Sequence, residues 1–163
     1  MNNIEPVTYT PIGIIHSEHR VPNRTPIQPA FAEGCAGQAE LLPEYEEGLA
    51  GLDGFSHITL LYNLHQSEGV KLTVVPFMDD KPTGLFSTRH PCRPNSIGLS
   101  TVRLLGIEGT TLFLDGVDVL DGTPLLDIKP FIPRFDSVDN AHGGWTEEVD
   151  ETIRMRRGRR MDD

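Results

Sequence analysis

One stretch of the sequence concentrates side chains that could bind a charged ligand. Residues 84–101 contain two arginines, Arg89 and Arg93, together with His90, Asn95 and two prolines. Prolines stiffen a loop, and each arginine presents several donors in a fixed planar fork. We therefore predict that this stretch forms one wall of a site for an anionic or polar ligand.

A second candidate region is rich in carboxylates. Residues 115–124 contain Asp115, Asp118 and Asp121. Aspartates beside glycine commonly stabilise tight turns, whereas the same groups around a pocket would hold a ribose or an amine. The spacing departs from an EF-hand loop, and no bidentate glutamate follows it, so calcium is disfavoured. The turn and the ligand interpretations both stay open.

Several common catalytic motifs are absent. The sequence has no Rossmann glycine fingerprint, no P-loop and no Gly-x-Ser-x-Gly elbow. A nucleotide-like cofactor would therefore need a non-Rossmann pocket. Cys35 and Cys92 cannot complete a four-ligand zinc site by themselves, and we expect no metal. The chain has the residue types of a serine hydrolase, but no spacing selects a triad.

Length and composition limit the class of protein. The chain has 163 residues, of which 37% are hydrophobic, and it contains 16 glycines and 13 prolines. These numbers favour one domain of many short strands over a helical bundle. Two cysteines make no disulfide framework, and no apolar run is long enough to span a membrane. We expect a cytoplasmic protein without a membrane segment.

Charge is distributed unevenly along the chain. The formal net charge is −10, yet residues 154–160 contain five arginines. This Arg-rich segment is either a solvated run that balances an acidic surface or an arm that contacts phosphates.

The elements that must position these residues follow from the hydrophobic pattern. Residues 57–65 alternate between apolar and more polar side chains, as in a half-buried strand. After residue 97, short apolar runs are separated by Glu108-Gly109, Asp115-Gly116 and Asp121-Gly122. Such spacing indicates a barrel or sandwich rather than parallel crossover units. We predict strands over 8–17, 37–42, 57–65, 71–77, 100–105, 110–114, 117–120 and 125–128, a short helix over 44–52 and a terminal helix over 145–157.

Six ordered motifs resemble the TsaA-like (TrmO) family. The resemblance covers about residues 8–136, and its motifs lie at 11–17, 26–29, 52–58, 84–89, 93–100 and 118–130. It implies a mainly β fold: a single small β-barrel, non-Rossmann, with short helices and a C-terminal helix. The implied organisation is an N-terminal tail over 1–7, a barrel domain over 8–136 and a C-terminal extension with the Arg-rich segment over 137–163.

The resemblance also implies a function. Members of the family bind S-adenosylmethionine, form homodimers and methylate N6 of threonylcarbamoyl-adenosine next to the anticodon of tRNA. We therefore expect an S-adenosylmethionine-dependent tRNA methyltransferase. The alternative is an S-adenosylmethionine-binding module of the same fold that does not methylate tRNA.

The family's cofactor contacts can be carried over residue by residue. The implied cofactor-binding residues are Pro26, Ile27, Gln28, His65, Gln66, Arg89, Leu99, Asp118, Val119, Leu120 and Asp121.

Catalytic roles follow from the chemistry that this function requires. A urea-like nitrogen is a poor nucleophile, so a base and a stabiliser of the resulting charge would both help. Asp121 and His65 are the candidate bases, although His65 is favoured as a cofactor contact. Arg89, Arg93 and Asn95 are candidates to hold the charge, unless Arg93 and Asn95 serve to lock the turn.

Overall fold

The computed structural model describes residues 4–160, and antiparallel strands dominate it. The strands are β1 (Gly13–Ser17), β2 (Ala36–Leu41), β3 (His57–Asn63), β4 (Thr73–Val74), β5 (Thr83–Gly84), β6 (Ile97–Glu108), β7 (Thr111–Asp115) and β8 (Thr123–Pro130). Six of them close a barrel in the order β1-β2-β7-β6-β3-β8, while β4 and β5 pair separately. The predicted mainly β, single-barrel fold is confirmed.

Side chains along each barrel strand point alternately into and out of the barrel. On β3, Ile58, Leu60 and Tyr62 are buried, and the residues between them are only partly covered. The same pattern on β7 and β8 buries Leu112 and Leu125 completely. Inward residues of all six strands thus fill the interior, as expected for a small closed barrel.

The long strand β6 joins the two halves of the barrel. Its first part pairs with β3, and its second part pairs with β7 through a hairpin turn at Gly109, where φ is +57°. The β6–β7 register shifts between Leu104 and Gly106. A bulge of this kind lets one strand bend between two neighbours.

Three predicted strands differ in the structure, and the first of them, predicted over 8–17, begins only at Gly13. Residues 117–120 form a loop that crosses one end of the barrel between Gly116 and Gly122, whose φ values are +80° and +77°. We call residues 117–120 the plug loop. Its side chains Val117 and Val119 are buried, which explains the strand-like alternation of the sequence here. The strand predicted over 71–77 shrinks to β4, because Pro76 has no N–H to extend the ladder.

Short helices replace the longer ones that the pattern predicts. Residues Pro43–Leu49 form a 3-10 helix instead of an α-helix. Two short α-helices follow the barrel, α1 (Pro133–Asp136) and α2 (Glu151–Arg159). The terminal helix begins at residue 151 because the Asp150 carboxylate accepts hydrogen bonds from the N–H groups of Thr152 and Ile153.

The C-terminal extension folds back onto the barrel. The N–H of Ile27 donates to the carbonyl of Gly158 over 2.9 Å. A Cβ on Gly158 would lie 2.6 Å from the Phe31 ring, so the helix approaches this loop as closely as a glycine permits. The division at residues 136 and 137 stays a prediction. Among residues 4–160, no helix has the length and apolar character needed to cross a membrane.

Candidate active site

A cavity of about 500 Å³ opens at one end of the barrel. Four segments that are distant in sequence form its wall: residues 22–28, the end of β3 with residues 64–67, residues 88–99, and residues 118–120 of the plug loop. Arg160, at the end of α2, completes the rim. This volume lies within the range of small-molecule and cofactor pockets.

Ten of the eleven predicted cofactor-binding residues line this cavity. They are Pro26, Ile27, Gln28, His65, Gln66, Arg89, Leu99, Asp118, Val119 and Leu120. The structure therefore brings the four predicted segments together. The roles of these residues as cofactor contacts stay predictions.

A buried hydrogen-bonded chain ends at the carboxyl group of Asp118. The Ser100 hydroxyl donates to Asp118 Oδ1 over 2.6 Å, and the Tyr62 hydroxyl lies 2.9 Å from Ser100 Oγ. Because Ser100 has a single hydroxyl hydrogen, Tyr62 donates to it when Asp118 is ionised. Burial raises the pKa of Asp118 to about 7, although the Ser100 hydrogen bond and the Arg89 charge lower it.

A glycine provides the space for the Tyr62 ring. Gly98 faces Tyr62 across the β3–β6 ladder, and a Cβ at this position would lie 2.1 Å from the ring. No other residue fits there while Tyr62 keeps its position. The pair fixes the Tyr62 hydroxyl beneath the cavity.

Hydrogen bonds fix the tautomer of His65. The Thr123 hydroxyl donates to the carbonyl of Leu120 over 2.7 Å, so at 3.2 Å it accepts from His65 Nδ1. In the neutral ring, Nε2 is therefore an acceptor, and the amide nitrogen of Gln66 lies 3.5 Å from it. His65 thus presents a lone pair rather than an N–H at Nε2.

The two arginines of the 84–101 stretch have different environments. Arg89 Nη1 donates to Gln28 Oε1 over 2.6 Å, and its side chain is exposed on the rim. Arg93 Nη1 donates to the carbonyl of Thr88 over 2.8 Å and lies within 3.5 Å of the His90 carbonyl. Arg93 therefore holds the turn together while it also lines the cavity.

Two predicted catalytic residues are not brought to the cavity lining. Asn95 is exposed on the turn before β6, and Asp121 forms an ion pair with Arg20. Burial tends to raise the pKa of Asp121, but the Ser17 N–H, Arg20 and His16 outweigh it, and the pKa falls below its ordinary value. A lowered pKa makes a carboxylate a weaker base.

The Arg-rich segment is not a freely solvated arm. Arg157 makes two hydrogen bonds to the Asp80 carboxylate, of 2.9 and 3.1 Å. The guanidinium of Arg160 lies 4.3 Å from the centre of the Phe77 ring, and its Nη1 donates to Asn23 over 3.3 Å. The end of this segment is therefore part of the cavity rim.

One group of potential metal ligands occurs in residues 4–160, away from the cavity lining. Ligand atoms of Glu18, His19 and Cys35 lie within 4.8 Å of one another. His19 Nε2 lies 2.9 Å from the Val117 carbonyl, so this nitrogen carries a proton and serves the plug loop. Burial and the neighbouring Glu18 raise the pKa of the Cys35 thiol, so the thiol is protonated at neutral pH in the ligand-free protein. The absence of a metal stays a prediction.

Sequence reasoning missed the residues beneath the cavity. The pattern assigned Tyr62 to the core, and nothing singled out Ser100. The available signal was polarity at inward positions, because both residues alternate with buried apolar neighbours on adjacent strands. Arg160 and Phe77 gave no comparable signal, because only the folded chain brings them to the rim.

Comparisons with known proteins agree with this architecture. Residues 14–137 match the family described as the tRNA-methyltransferase O N-terminal domain. A Pyrococcus abyssi protein, named a probable S-adenosyl-L-methionine-binding protein, is 47% identical over 87% of this chain and 77% of its own length. The human tRNA (adenine(37)-N6)-methyltransferase is 36% identical over 80% of this chain and 31% of its own length.

A solved structure has the same fold. The crystal structure of TrmO from Pseudomonas aeruginosa matches with a TM-score of 0.73 and 40% identity, covering 86% of this chain and 63% of that one. The chain thus spans less than two thirds of that protein, and 40% of an Archaeoglobus fulgidus relative.

The fold and the cavity define a class: closed six-stranded β-barrel proteins with a non-Rossmann pocket at one end. Within that class, the chain belongs to the tRNA-methyltransferase O N-terminal domain family. The resemblance to the TsaA-like (TrmO) family is thereby confirmed.

Proposed function

We propose that this protein binds S-adenosylmethionine in the barrel-end cavity and transfers its methyl group to N6 of threonylcarbamoyl-adenosine in tRNA. The observation that carries the proposal is the Asp118 carboxyl, held in this cavity by the Ser100 hydroxyl at 2.6 Å. The names of relatives support the cofactor and the RNA substrate.

The residues around the cavity fit this cofactor chemically. S-adenosylmethionine carries a sulfonium and an ammonium cation, and Asp118 offers a carboxylate to them. The guanidinium of Arg89 suits the cofactor carboxylate. Pro26, Ile27 and Leu120 supply apolar surface for an adenine ring. When bound, the cofactor supplies an activated methyl group, and alignment with the acceptor is the main remaining requirement.

Proton removal from the acceptor nitrogen is the second requirement. Asp118 is better suited to accept this proton than Asp121, because Asp118 lines the cavity and its pKa is about 7. Arg89 and Arg93 line the same cavity and would stabilise negative charge on the acceptor. Asp121 and Asn95 do not line the cavity, so a catalytic role for either of them would require the acceptor nucleotide to bind outside it.

The alternative function is a binding module for S-adenosylmethionine without RNA methylation. It is favoured by the names of archaeal relatives, which mention only cofactor binding, and by the acidic net charge of −10. A homodimer and a cytoplasmic location are likewise proposals.

Two measurements, made one after the other, test the proposal. Calorimetry with S-adenosylmethionine should give saturable binding, and the absence of heat together with an unchanged Tm would refute both functions. Labelled cofactor is then incubated with an anticodon stem-loop that contains threonylcarbamoyl-adenosine, beside the same RNA with plain adenosine. Label on the modified RNA alone supports the methyltransferase, whereas cofactor binding without transfer supports the binding module.

A further inference from the structure

A second cavity of about 480 Å³ lies beside the first. Its wall combines aromatic side chains from three parts of the chain: Phe77 after β4, Phe86 and His90 in the 84–101 stretch, and Trp145 in the C-terminal extension. We call it the aromatic cavity. Nothing in the proposed cofactor site requires it.

The two cavities share a wall. Ile27, Gln28, Phe77, Thr88, Arg89 and His90 line both of them. The hydrogen bond of 2.6 Å between Arg89 and Gln28 lies in this wall. A ligand in the aromatic cavity would therefore lie directly beside a ligand in the first cavity.

Contacts within the chain hold three of the four aromatic side chains in place. The Phe77 and His90 rings stack with centroids 5.1 Å apart and an interplanar angle of 17°. Trp145 Nε1 donates to the Ser87 carbonyl over 2.8 Å. Phe86 is 73% exposed, so much of its ring is accessible to a ligand. Accessible aromatic rings of this kind are suited to stack on a planar base.

The aromatic cavity has a basic wall, whereas the whole chain is acidic. None of the described residues that line it is acidic, and Arg89 is part of it, while the chain carries −10. Arg93 lies 5.6 Å from the centre of the Phe86 ring, and Arg160 lies 4.3 Å from that of Phe77. Guanidinium groups beside this cavity favour a ligand that carries negative charge.

We propose that the aromatic cavity receives the acceptor base, an unstacked purine from a single-stranded RNA loop, with its 6-substituent directed to the wall of Arg89 and Gln28. This inference rests on the proposed function. Transfer needs direct contact, so N6 reaches through the shared wall to the methyl group of the cofactor, whose bond to sulfur breaks with the electron pair left on sulfur. A bond to N6 forms as the N6 proton passes to a carboxylate, for which Asp118 is suited.

The test uses Trp145, the single tryptophan of the sequence, as a probe inside the aromatic cavity. Threonylcarbamoyl-adenosine nucleoside, and separately the modified stem-loop, are titrated in the presence of S-adenosylhomocysteine, which prevents turnover. We expect saturable quenching of tryptophan fluorescence by both ligands. S-adenosylmethionine alone should leave the emission nearly unchanged.

A matched pair of variants tests the stacking. Phe86 and Phe135 are both 73% exposed, but only Phe86 lines the aromatic cavity. Phe86→Ala should raise the half-saturation concentration of the nucleoside by about fivefold or more, because loss of one stacking surface weakens base binding by this order. Phe135→Ala should behave as the unmodified protein, and both variants should bind S-adenosylmethionine normally.

The outcomes separate the inference from the proposed function. Methyl transfer with the same KM for RNA in Phe86→Ala and Phe135→Ala overturns the aromatic cavity as acceptor site and leaves the methyltransferase intact. Quenching by the nucleoside without any transfer supports the base-binding cavity and refutes the methyltransferase. RNA that binds by anisotropy without changing Trp145 emission overturns the inference, and absence of both quenching and transfer overturns both proposals.

Discussion

The two adjoining cavities are built from different kinds of structure. The plug loop and the ends of β3 and β6 contribute to the first cavity, and a buried Tyr62–Ser100–Asp118 chain lies beneath it. The aromatic cavity is built from the segment around β4 and β5 and from the C-terminal extension. Its rings are partly or largely exposed, and its outer wall lies outside the barrel.

This difference separates two tasks. A closed barrel holds inward side chains at fixed positions, which suits a site where a carboxyl group and a methyl donor must be aligned. Short segments outside the barrel can change in length and sequence at small cost to the core, which suits recognition of one particular partner. The following predictions on ligand binding test whether the two cavities are separable in this way.

The largest effect is expected at Asp118. Asp118→Asn keeps an oxygen that can accept from Ser100 but removes the ionisable group, so methyl transfer should fall about 100-fold or more. Cofactor affinity measured by calorimetry should fall as well, while quenching of Trp145 by the nucleoside persists. Asp127→Asn is the matched control, because Asp127 pairs with Lys129 outside both cavities. Equal loss of cofactor and nucleoside binding would contradict the separation.

The second prediction concerns pH. Burial raises the pKa of Asp118 to about 7 in the free protein, so the carboxyl is neutral below this value and cannot attract a cation. Cofactor affinity should therefore fall about 15-fold in total as pH decreases from 7 to 5.5. Calorimetry across this range checks it, and Asp118→Asn should be insensitive. Nucleoside binding in the aromatic cavity should not follow this curve.

The raised pKa of Asp118 also makes stability depend on pH, but stability falls as pH rises whereas cofactor affinity increases. Between the ordinary aspartate pKa and about 7, the folded protein retains a proton that the unfolded chain releases. The free energy of unfolding of the ligand-free protein should therefore decrease as pH rises through this range, and Asp118→Asn should flatten the decrease. Urea denaturation at several pH values measures both.

Arg89 belongs to the shared wall and should affect both cavities. Arg89→Ala removes a charge and the partner of Gln28, so cofactor and nucleoside affinity should each fall about tenfold. Arg103→Ala, at an exposed position of β6 outside both cavities, is the control. Because Arg89 is exposed, the Tm of the variant should change little. An effect on one ligand only would assign the guanidinium to that cavity alone.

The smallest effect is expected where α2 touches the barrel. A methyl group on Gly158 would overlap the Phe31 ring and push the helix away from Ile27. Gly158→Ala should weaken cofactor binding about threefold, since Arg160 would leave the rim and the affinity cost is below 1 kcal/mol. Gly48→Ala meets no atom within 4 Å and is the control. Unchanged affinity would show that the extension serves the aromatic cavity alone.

The sequence was informative where a local pattern has one structural meaning. Alternation predicted β3, and the Glu108-Gly109 pair predicted the β6–β7 hairpin. Alternation failed at residues 117–120, because buried positions in a plug loop produce the same pattern as a strand. Charge in the Arg-rich segment predicted a solvated run or an RNA arm, but partners distant in sequence, such as Asp80, determine its position.

Part of the candidate site was also predictable, because local sequence motifs mark the segments that form it. Ordered motifs identified the segments that converge on the first cavity, because each motif is local. Asp121 and Asp118 could not be ranked from sequence, since burial beside Ser100 and pairing with Arg20 arise only on folding. The aromatic cavity had no sequence signal, because Phe77, Phe86 and Trp145 share no spacing.

The contact between Tyr62 and Gly98 has an evolutionary consequence. Any side chain at position 98 would occupy the space of the tyrosine ring, so the two positions cannot vary independently. In related sequences, a larger residue at 98 should occur together with a small residue at 62. Such exchanges should also alter the residue at 100, because its hydroxyl would lose the phenol partner. Positions 62, 98 and 100 are therefore expected to change as a coupled set.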